Sequence, residues 1–188
     1  MNDVPIAHGG EIVLRPLDTG DLRLYRALRL RALQDAPKAF GSSFEEESTY
    51  PDEVFARRLI QANGNIFFGA FKDGELVGTA GVYRHERRSE QHRGTMVGVY
   101  VARQARGLRL ATALVQKIID HAEEHFVVLD AKVVATNESA KRIYHALGFR
   151  TYGVEPKSFV VAGEYLDEEL IAIDFSDPAW AAGRVAKP

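Results

Sequence analysis

The sequence contains no cysteine, and this absence excludes several kinds of chemistry at once. Without a thiol, the chain can form no disulfide, no thiolate zinc site and no cysteine nucleophile. A group-transfer reaction could therefore not proceed through a thioester on the protein itself. The six histidines show no metal-ligand spacing, so the sequence predicts no metal site.

A long apolar run, an excess of one charge and an internal repeat are also missing. No segment approaches the roughly 20 apolar residues that span a bilayer. The first residues, MNDVPIAHGGE, lack the basic-then-apolar order of a signal peptide. Lys plus Arg number 24 against 26 for Asp plus Glu, a balance that gives no electrostatic support for binding nucleic acid or a membrane. We therefore expect a cytoplasmic protein with neither of these partners.

The 188 residues, 46% of them hydrophobic, are enough for one domain with a substantial core. Apolar spacing predicts the order β-α-α-β-β-β-α-β-α-β-β over residues 1–175, with residues 176–188 as a tail. GSSFEEESTYP is interpreted as a polar link, KDGE as a hairpin turn, and FVVAGEYL and EELIAIDF as the last two strands. Hairpins give antiparallel pairs and strand–helix–strand units give parallel ones, so the sheet of this α/β domain should be mixed.

The most informative segment is VARQARGLRLATALV, residues 101–115. An apolar strand ends at Val101, and a helix is predicted to begin near Leu108 with no acidic residue in its first turn. The N–H groups from about Arg106 to Thr112 would lack carbonyl partners and favour an anion such as a pyrophosphate. A basic loop at an ordinary helix start is the alternative. The chain has neither the Gly-Lys-Ser/Thr of a Walker loop nor the three spaced glycines of a dinucleotide site.

From Thr95 to Phe149 the sequence resembles the GNAT superfamily of acyl-CoA-dependent N-acetyltransferases. The family signature, Arg/Gln-x-x-Gly-x-Gly/Ala, is occupied here by Arg106 to Ala111, and Asn137, Tyr144 and Leu147-Gly148-Phe149 follow in the family's order. Arg109 departs from the pattern because it replaces the internal glycine. The resemblance implies a mixed, mostly antiparallel sheet with a splayed central parallel pair, flanked by about four helices.

The resemblance also implies acetyl-CoA as cosubstrate, without a metal. In such enzymes the strand before the signature binds the acetyl carbonyl and the pantetheine arm through its backbone, and the helix start binds the pyrophosphate. The residues implied for cofactor binding are Val99, Tyr100, Val101, Arg106, Gly107, Leu108, Arg109, Leu110, Ala111, Thr112 and Asn137. From its local pattern alone, Asn137 is equally well interpreted as a helix N-cap.

Two residues are the expected catalytic groups. The resemblance implies that Tyr144 protonates the leaving thiolate, since a phenol with a pKa of about 10 stays protonated at neutral pH; a core tyrosine is the alternative. The general base is predicted at Glu46, among the acidic residues 45–47, with His85, Glu86 or a water chain as alternatives. The fifth-strand position at which some family members carry a glutamate is Lys132 here.

The expected reaction is direct transfer of an acetyl group from acetyl-CoA to a primary amine. The amine could belong to a small molecule, a peptide N-terminus or a lysine, and the sequence does not select among them. A homodimer is compatible with the sequence. Two alternatives remain, namely an acyl-CoA-binding module without turnover and a phosphate-binding regulatory domain for another nucleotide.

Overall fold

Seven strands and five helices make up the fold in the computed structural model, which describes residues 10–180. The strands are β1 (Ile12–Pro16), β2 (Ile66–Lys72), β3 (Glu75–Arg84), β4 (Arg93–Val101), β5 (Val128–Val134), β6 (Arg150–Val161) and β7 (Glu164–Asp174). The helices are α1 (Leu22–Asp35), α2 (Phe44–Glu47), α3 (Asp52–Arg58), α4 (Leu110–His125) and α5 (Glu138–Ala146). Residues 1–9 of the predicted domain and 181–188 of the predicted tail lie outside the described residues.

The strands form one sheet in the order β1-β2-β3-β4-β5-β7-β6. Within the described part of the chain, every neighbouring pair is antiparallel except β4 and β5. The parallel pair is joined by α4, as a parallel connection requires a crossover. The predicted mixed, mostly antiparallel sheet with a central parallel pair is therefore confirmed.

The prediction of a hairpin at KDGE and the prediction of the last two strands had opposite outcomes. The KDGE turn is confirmed, with Asp73 and Gly74 at φ +52° and +83° between β2 and β3. The last two strands were predicted wrongly, because FVVAGEYL spans a turn instead of forming one strand. Ala162 and Gly163 form that turn at φ +50° and +83°, the backbone of a two-residue type I′ hairpin. Alanine is uncommon at such a φ value, so the local sequence gave a weak turn signal.

The predicted helices are present, with two differences at their boundaries. The segment interpreted as a polar link contains the short helix α2, whose first turn is capped by the Ser43 hydroxyl accepting from the Glu46 N–H at 3.1 Å. Helix α4 begins at Leu110, two residues later than predicted. No helix among residues 10–180 is long and apolar enough to cross a membrane.

The helices cover both faces of the sheet. On one face, Phe67 of β2 packs edge-on against Tyr25 of α1, with ring centroids 5.2 Å apart. On the other face, Gly78 of β3 lies under Leu114 of α4, so closely that a Cβ on the glycine would stand 3.1 Å from the leucine. We call these the α1 face and the α4 face.

A buried carboxylate joins the three N-terminal helices on the α1 face. Glu47 of α2 is 0% exposed and pairs with Arg29 of α1 at 2.7 Å and Arg58 of α3 at 2.8 Å. Burial opposes ionisation of Glu47, but hydrogen bonds and charges from the two arginines outweigh it and lower its pKa to about 2. The ion pairs therefore hold this helical layer together wherever Glu47 is ionised.

Replacing Glu47 by glutamine should lower the free energy of unfolding by about 3 kcal/mol, because two partly buried guanidinium groups lose their counter-charge. The folded-state pKa lies below the ordinary value of 4.5, so this stabilisation is present above pH 4.5 and is lost as the pH falls towards 2. Urea denaturation at about pH 7 and about pH 3 measures the free energy of unfolding of wild type and variant, and the difference between the two proteins should be smaller at the lower pH. Glu46→Gln, at the exposed neighbouring residue, is the control. An equal decrease in the free energy of unfolding in both variants would contradict the prediction.

Candidate functional site

A gap opens in the middle of the sheet where β4 and β5 separate. The two strands pair through only three residue pairs, Arg93–Val128, Gly94–Leu129 and Thr95–Asp130. Beyond them, β4 continues to Val101 and β5 to Val134 without pairing to each other. The predicted splay of the parallel pair is thus present, and it begins immediately after Thr95.

A bulge in β4 accompanies the separation. Val97 pairs with Gly81 and Tyr100 with Thr79, so β4 uses one more residue than β3 over this stretch. Gly98 lies in the extra turn of backbone at φ +64°, and a Cβ there would stand 3.2 Å from the Phe67 ring. A bulge bends the strand that carries it, so the bulge at Gly98 turns the end of β4 away from β5.

A cluster of side chains fixes the point at which the gap begins. Asp130 of β5 accepts hydrogen bonds from Thr95 Oγ1 at 2.6 Å and from Arg93 Nε and Nη2 at 3.2 and 2.9 Å. The His85 ring lies 2.8 Å from the Thr95 hydroxyl. Since that hydroxyl donates to Asp130, His85 Nε2 must be the donor to Thr95. These bonds join β3, β4 and β5 at the closed end of the gap.

A groove of about 630 Å³ runs through the gap. Its walls come from the end of α1 and the residues after it, the end of β4, the start of α4, the end of β5 and one side of α5. It is lined by Ala36, Ala39, Phe40, Val99, Tyr100, Val101, Ala105, Arg106, Gly107, Arg109, Leu110, Ala111, Thr112, Val115, Lys132, Val133, Val134, Asn137, Ser139, Ala140, Ile143 and Tyr144.

The start of α4 has the features of an anion-binding helix N-terminus. Its first turn carries no acidic residue, and its N-cap, Arg109, makes no side-chain capping bond. The first backbone bond runs from the Ala113 N–H to the Arg109 carbonyl at 3.1 Å, so the preceding N–H groups of the turn have no partner within the helix. Gly107, in the loop before α4, adopts a φ of +83°. A Cβ added to Gly107 would have no atom within 4 Å, so the space beside this glycine is open. Arg109 itself adopts the left-handed region, at φ +57°.

The end of β4 is fixed on both sides of the groove. Tyr100 donates a hydrogen bond of 2.7 Å to Asp35 at the end of α1. The Arg106 side chain turns back and donates to the Val101 carbonyl at 3.1 Å. These two bonds connect the end of α1 and the loop before α4 to the strand.

Tyr144 and Asn137 of the α5 region both line the groove. The Tyr144 side chain is 8% exposed and packs at 5.8 Å from the Phe149 ring; burial raises its pKa to about 12. Asn137 caps α5, as its Oδ1 accepts from the Ala140 N–H at 3.2 Å and the Ser139 hydroxyl at 3.0 Å. Both bonds use the amide oxygen, and the amide nitrogen has no protein partner among the described residues.

Most of the residues predicted for the site lie together in this groove, and two do not. Leu108 is 40% exposed and is not part of the lining. Glu46 is exposed, lies outside the lining, and accepts a 2.7 Å hydrogen bond from the Tyr50 hydroxyl. The structure therefore does not bring Glu46 to the groove, and its role as base stays a prediction.

The sequence-based prediction missed two walls of the groove. One consists of Ala36, Ala39 and Phe40, which follow α1, and the other of Lys132–Val134 on β5. The parallel arrangement of β4 and β5 was a signal for the second wall, because it brings the end of β5 opposite the end of β4. Within residues 10–180, no group of three or more acidic or histidine side chains could hold a metal ion.

Comparison with known proteins assigns this architecture to a family. The model of the acetyltransferase (GNAT) family matches residues 29–149, more than half of the chain. This chain belongs to the GNAT acetyltransferase family. It is an acetyl-CoA-dependent acyltransferase, and the resemblance found in the sequence is confirmed.

Three relatives illustrate the similarity of this GNAT protein to others. The N-alpha-acetyltransferase RimI of Mycobacterium tuberculosis is 28% identical over 137 residues, which cover 72% of this chain and 82% of RimI. The structure of yncA from Salmonella typhimurium with its cofactor acetyl-CoA has a TM-score of 0.77 at 20% identity, covering 89% of this chain and 95% of yncA. The ribosomal-protein-alanine N-acetyltransferase of Brucella melitensis has a TM-score of 0.68 at 24% identity, covering 86% and 99%.

A carboxylate placed at Gly107 should interfere with phosphate binding at the start of α4. We expect Gly107→Glu to raise the Kd for CoA at least about tenfold above that of Gly107→Ala, measured by calorimetry. Both substitutions impose the same strained φ value, so the difference between them reports the longer, negatively charged side chain and not the backbone strain. Equal affinities in the two variants would show that the phosphates bind elsewhere.

Proposed function

We propose that this GNAT protein transfers the acetyl group of acetyl-CoA directly to a primary amine while both substrates are bound. The observation that carries the proposal is the groove itself. It connects the N-terminus of α4, the separated end of β4 and the Tyr144 side chain in one continuous space. A thioester held along β4 would then lie beside a proton donor, and the absence of cysteine is consistent with transfer in one step.

The residues present fit acetyl-CoA. The free N–H groups at the start of α4, together with Arg106 and Arg109, supply the donors and positive charge that a pyrophosphate requires. Val99 to Val101 offer strand backbone on the side of the gap where β5 no longer pairs with them. The free amide nitrogen of Asn137 is available to a carbonyl of the pantetheine arm. The cosubstrate contributes an activated acetyl thioester.

Two groups of the chain would act on the reaction. The backbone N–H at Val99 would stabilise the negative charge that develops on the carbonyl oxygen when an amine attacks. Tyr144 would donate its proton to the departing thiolate; with its pKa raised to about 12, the phenol stays protonated throughout the neutral range. Loss of either contribution should slow the chemical step more than it weakens cofactor binding.

The attacking amine must lose a proton, and Glu46 is the acceptor predicted from the sequence. Its carboxylate is exposed and bonded to Tyr50, outside the groove lining. Transfer to Glu46 would therefore require a water relay.

The names of two relatives favour one acceptor class. RimI is named an N-alpha-acetyltransferase, and the Brucella protein a ribosomal-protein-alanine N-acetyltransferase. An α-amino group of a protein chain is free only at the N-terminus, because every other one forms a peptide bond. We therefore place peptide N-termini first among the acceptors, before lysine side chains and small amines.

An acceptor panel tests the proposed function. The enzyme is incubated with acetyl-CoA and N-terminal peptides, lysine peptides or small amines, while thiol release and the mass gain of about 42 Da are followed. Release of the CoA thiol together with an acetylated product supports the proposal. The acceptor that reacts fastest identifies the class of amine that the enzyme uses. Binding of CoA without thiol release on any amine would favour the acyl-CoA-binding module, and equal binding of CoA, ATP and NAD would favour the regulatory alternative.

Tyr144→Phe should lower kcat by about 100-fold and leave the Kd for acetyl-CoA within about twofold, since the variant loses a proton donor but keeps the ring. Steady-state kinetics with the best acceptor and calorimetry with acetyl-CoA measure the two effects. Tyr152→Phe, on an exposed tyrosine of β6, is the control. An unchanged kcat in Tyr144→Phe would remove this residue from the mechanism.

A further inference from the structure

Among residues 10–180, Lys132 is the one lysine that lines the groove. It lies on β5 beyond the last pair with β4, beside the gap. Asp130, two residues before Lys132, lies on the α1 face, because its carboxylate bonds to the Thr95 hydroxyl. Thr95 is on that face because it pairs with Tyr83, whose ring packs on Phe67. Because side chains alternate along a strand, Lys132 also projects on the α1 face.

Helix α1 covers the part of the α1 face around Phe67, but over β5 and β6 this face is open, since the side chains of Lys132 and Glu155 are 51% and 43% exposed. An acceptor amine can approach the gap from there. Helix α4 covers the opposite face, as the contact between Leu114 and Gly78 shows, and its N-terminus is the proposed phosphate site. A thioester in the gap would therefore be reached by amines from the α1 face, where Lys132 is already attached to the wall of the groove. A tethered amine has a high effective concentration at such a place.

We infer that the enzyme acetylates its own Lys132. The inference rests on the proposed function, since it uses the same thioester and the same groove. Lys132 stands at the fifth-strand position at which some family members carry a glutamate as the base.

The partner of Lys132 supplies the proton acceptor that this reaction needs. Lys132 Nζ lies 2.5 Å from Glu155 Oε2 on β6. The Ser158 hydroxyl lies between two carboxylates, 3.0 Å from the same Glu155 oxygen and 2.6 Å from Glu168 Oε2. The hydrogen bond to Glu155 raises the pKa of Lys132. The amine is therefore mostly protonated, and modification is slow compared with transfer to a free acceptor.

The acetyl transfer to Lys132 uses Glu155, Tyr144 and solvent to move protons. The Lys132 ammonium gives one proton to Glu155, which passes it to solvent because the ion pair lowers the pKa of that carboxylate. The neutral nitrogen then forms a bond to the acetyl carbon, and it loses its second proton to solvent as the carbon–sulfur bond breaks. The thiolate takes the proton of Tyr144, which recovers one from solvent. The products are CoA and an uncharged N-acetyl-lysine, and Glu155 loses its counter-charge.

Lys38 provides a matched comparison for the test. Its side chain is 55% exposed against 51% for Lys132, and it also pairs with a single glutamate, Glu164. Lys38 is not part of the groove lining. Chemical acetylation by acetyl-CoA in solution should therefore affect the two lysines similarly, whereas reaction in the groove should affect Lys132 alone.

The experiment incubates the full chain with acetyl-CoA and no added amine, and follows each lysine by peptide mass spectrometry after cleavage with a protease that does not require lysine. We expect Lys132 to gain about 42 Da at least about tenfold faster than Lys38, at a rate that does not depend on protein concentration. Tyr144→Phe should slow the reaction at Lys132 and leave that at Lys38 unchanged. The Lys132→Arg variant should lack the fast mass gain of the whole chain.

Equal rates at Lys132 and Lys38, or a Lys132 rate unaffected by Tyr144→Phe, would overturn the inference. The amine panel, run on the wild-type enzyme in parallel, separates the two proposals. Transfer to added amines with an unmodified Lys132 removes only the self-acetylation, whereas CoA binding without transfer to any amine removes the proposed function and the inference with it.

Discussion

The separation of two parallel strands inside an otherwise continuous sheet is the constraint on which the site depends. A gap within a sheet leaves backbone N–H and C=O groups of both strands without their usual partners, and such groups require another partner or water. Each strand keeps its outer neighbour, β3 for β4 and β7 for β5. Each side of the gap is therefore supported by a ladder to the next strand, and the gap presents preformed strand edges to an extended ligand.

The interactions that maintain this opening lie at its closed end and along its rims. Asp130 fastens the last paired residues through Thr95 and Arg93, while the bulge at Gly98 turns the rest of β4 away. The Tyr100–Asp35 bond then ties the diverging strand to α1. The buried Glu47 also pairs with Arg29 of α1, so α1 and α2 are joined on either side of the wall that follows α1.

Much of this arrangement could be predicted from the sequence, because it depends on local signals. Asp73-Gly74 predicts a hairpin, and the spacing of apolar residues predicts helix α4. Gly107, together with the lack of an acidic residue in the first turn of α4, indicates the unusual start of that helix. The Ala162-Gly163 turn was missed because the signal of a type I′ turn resides in φ values that alanine seldom adopts. The β5 wall was missed for a different reason. The position of Lys132 beside the groove depends on how β5 aligns with β4 in the sheet, and this alignment relates residues far apart in the chain.

The same strand separation divides the chemistry between the two faces of the sheet. On the α4 face, the helix N-terminus with Arg106 and Arg109 concentrates positive charge, which suits the phosphates of a cofactor. On the α1 face, Glu155 and Glu168 share the Ser158 hydroxyl beside Lys132. Lys132 neutralises part of that acidic group, so its charge affects how strongly a cationic acceptor is drawn towards the gap. A lysine in the place of the family's glutamate thus changes the electrostatics of the acceptor side while the cofactor side, built on backbone N–H groups, is preserved.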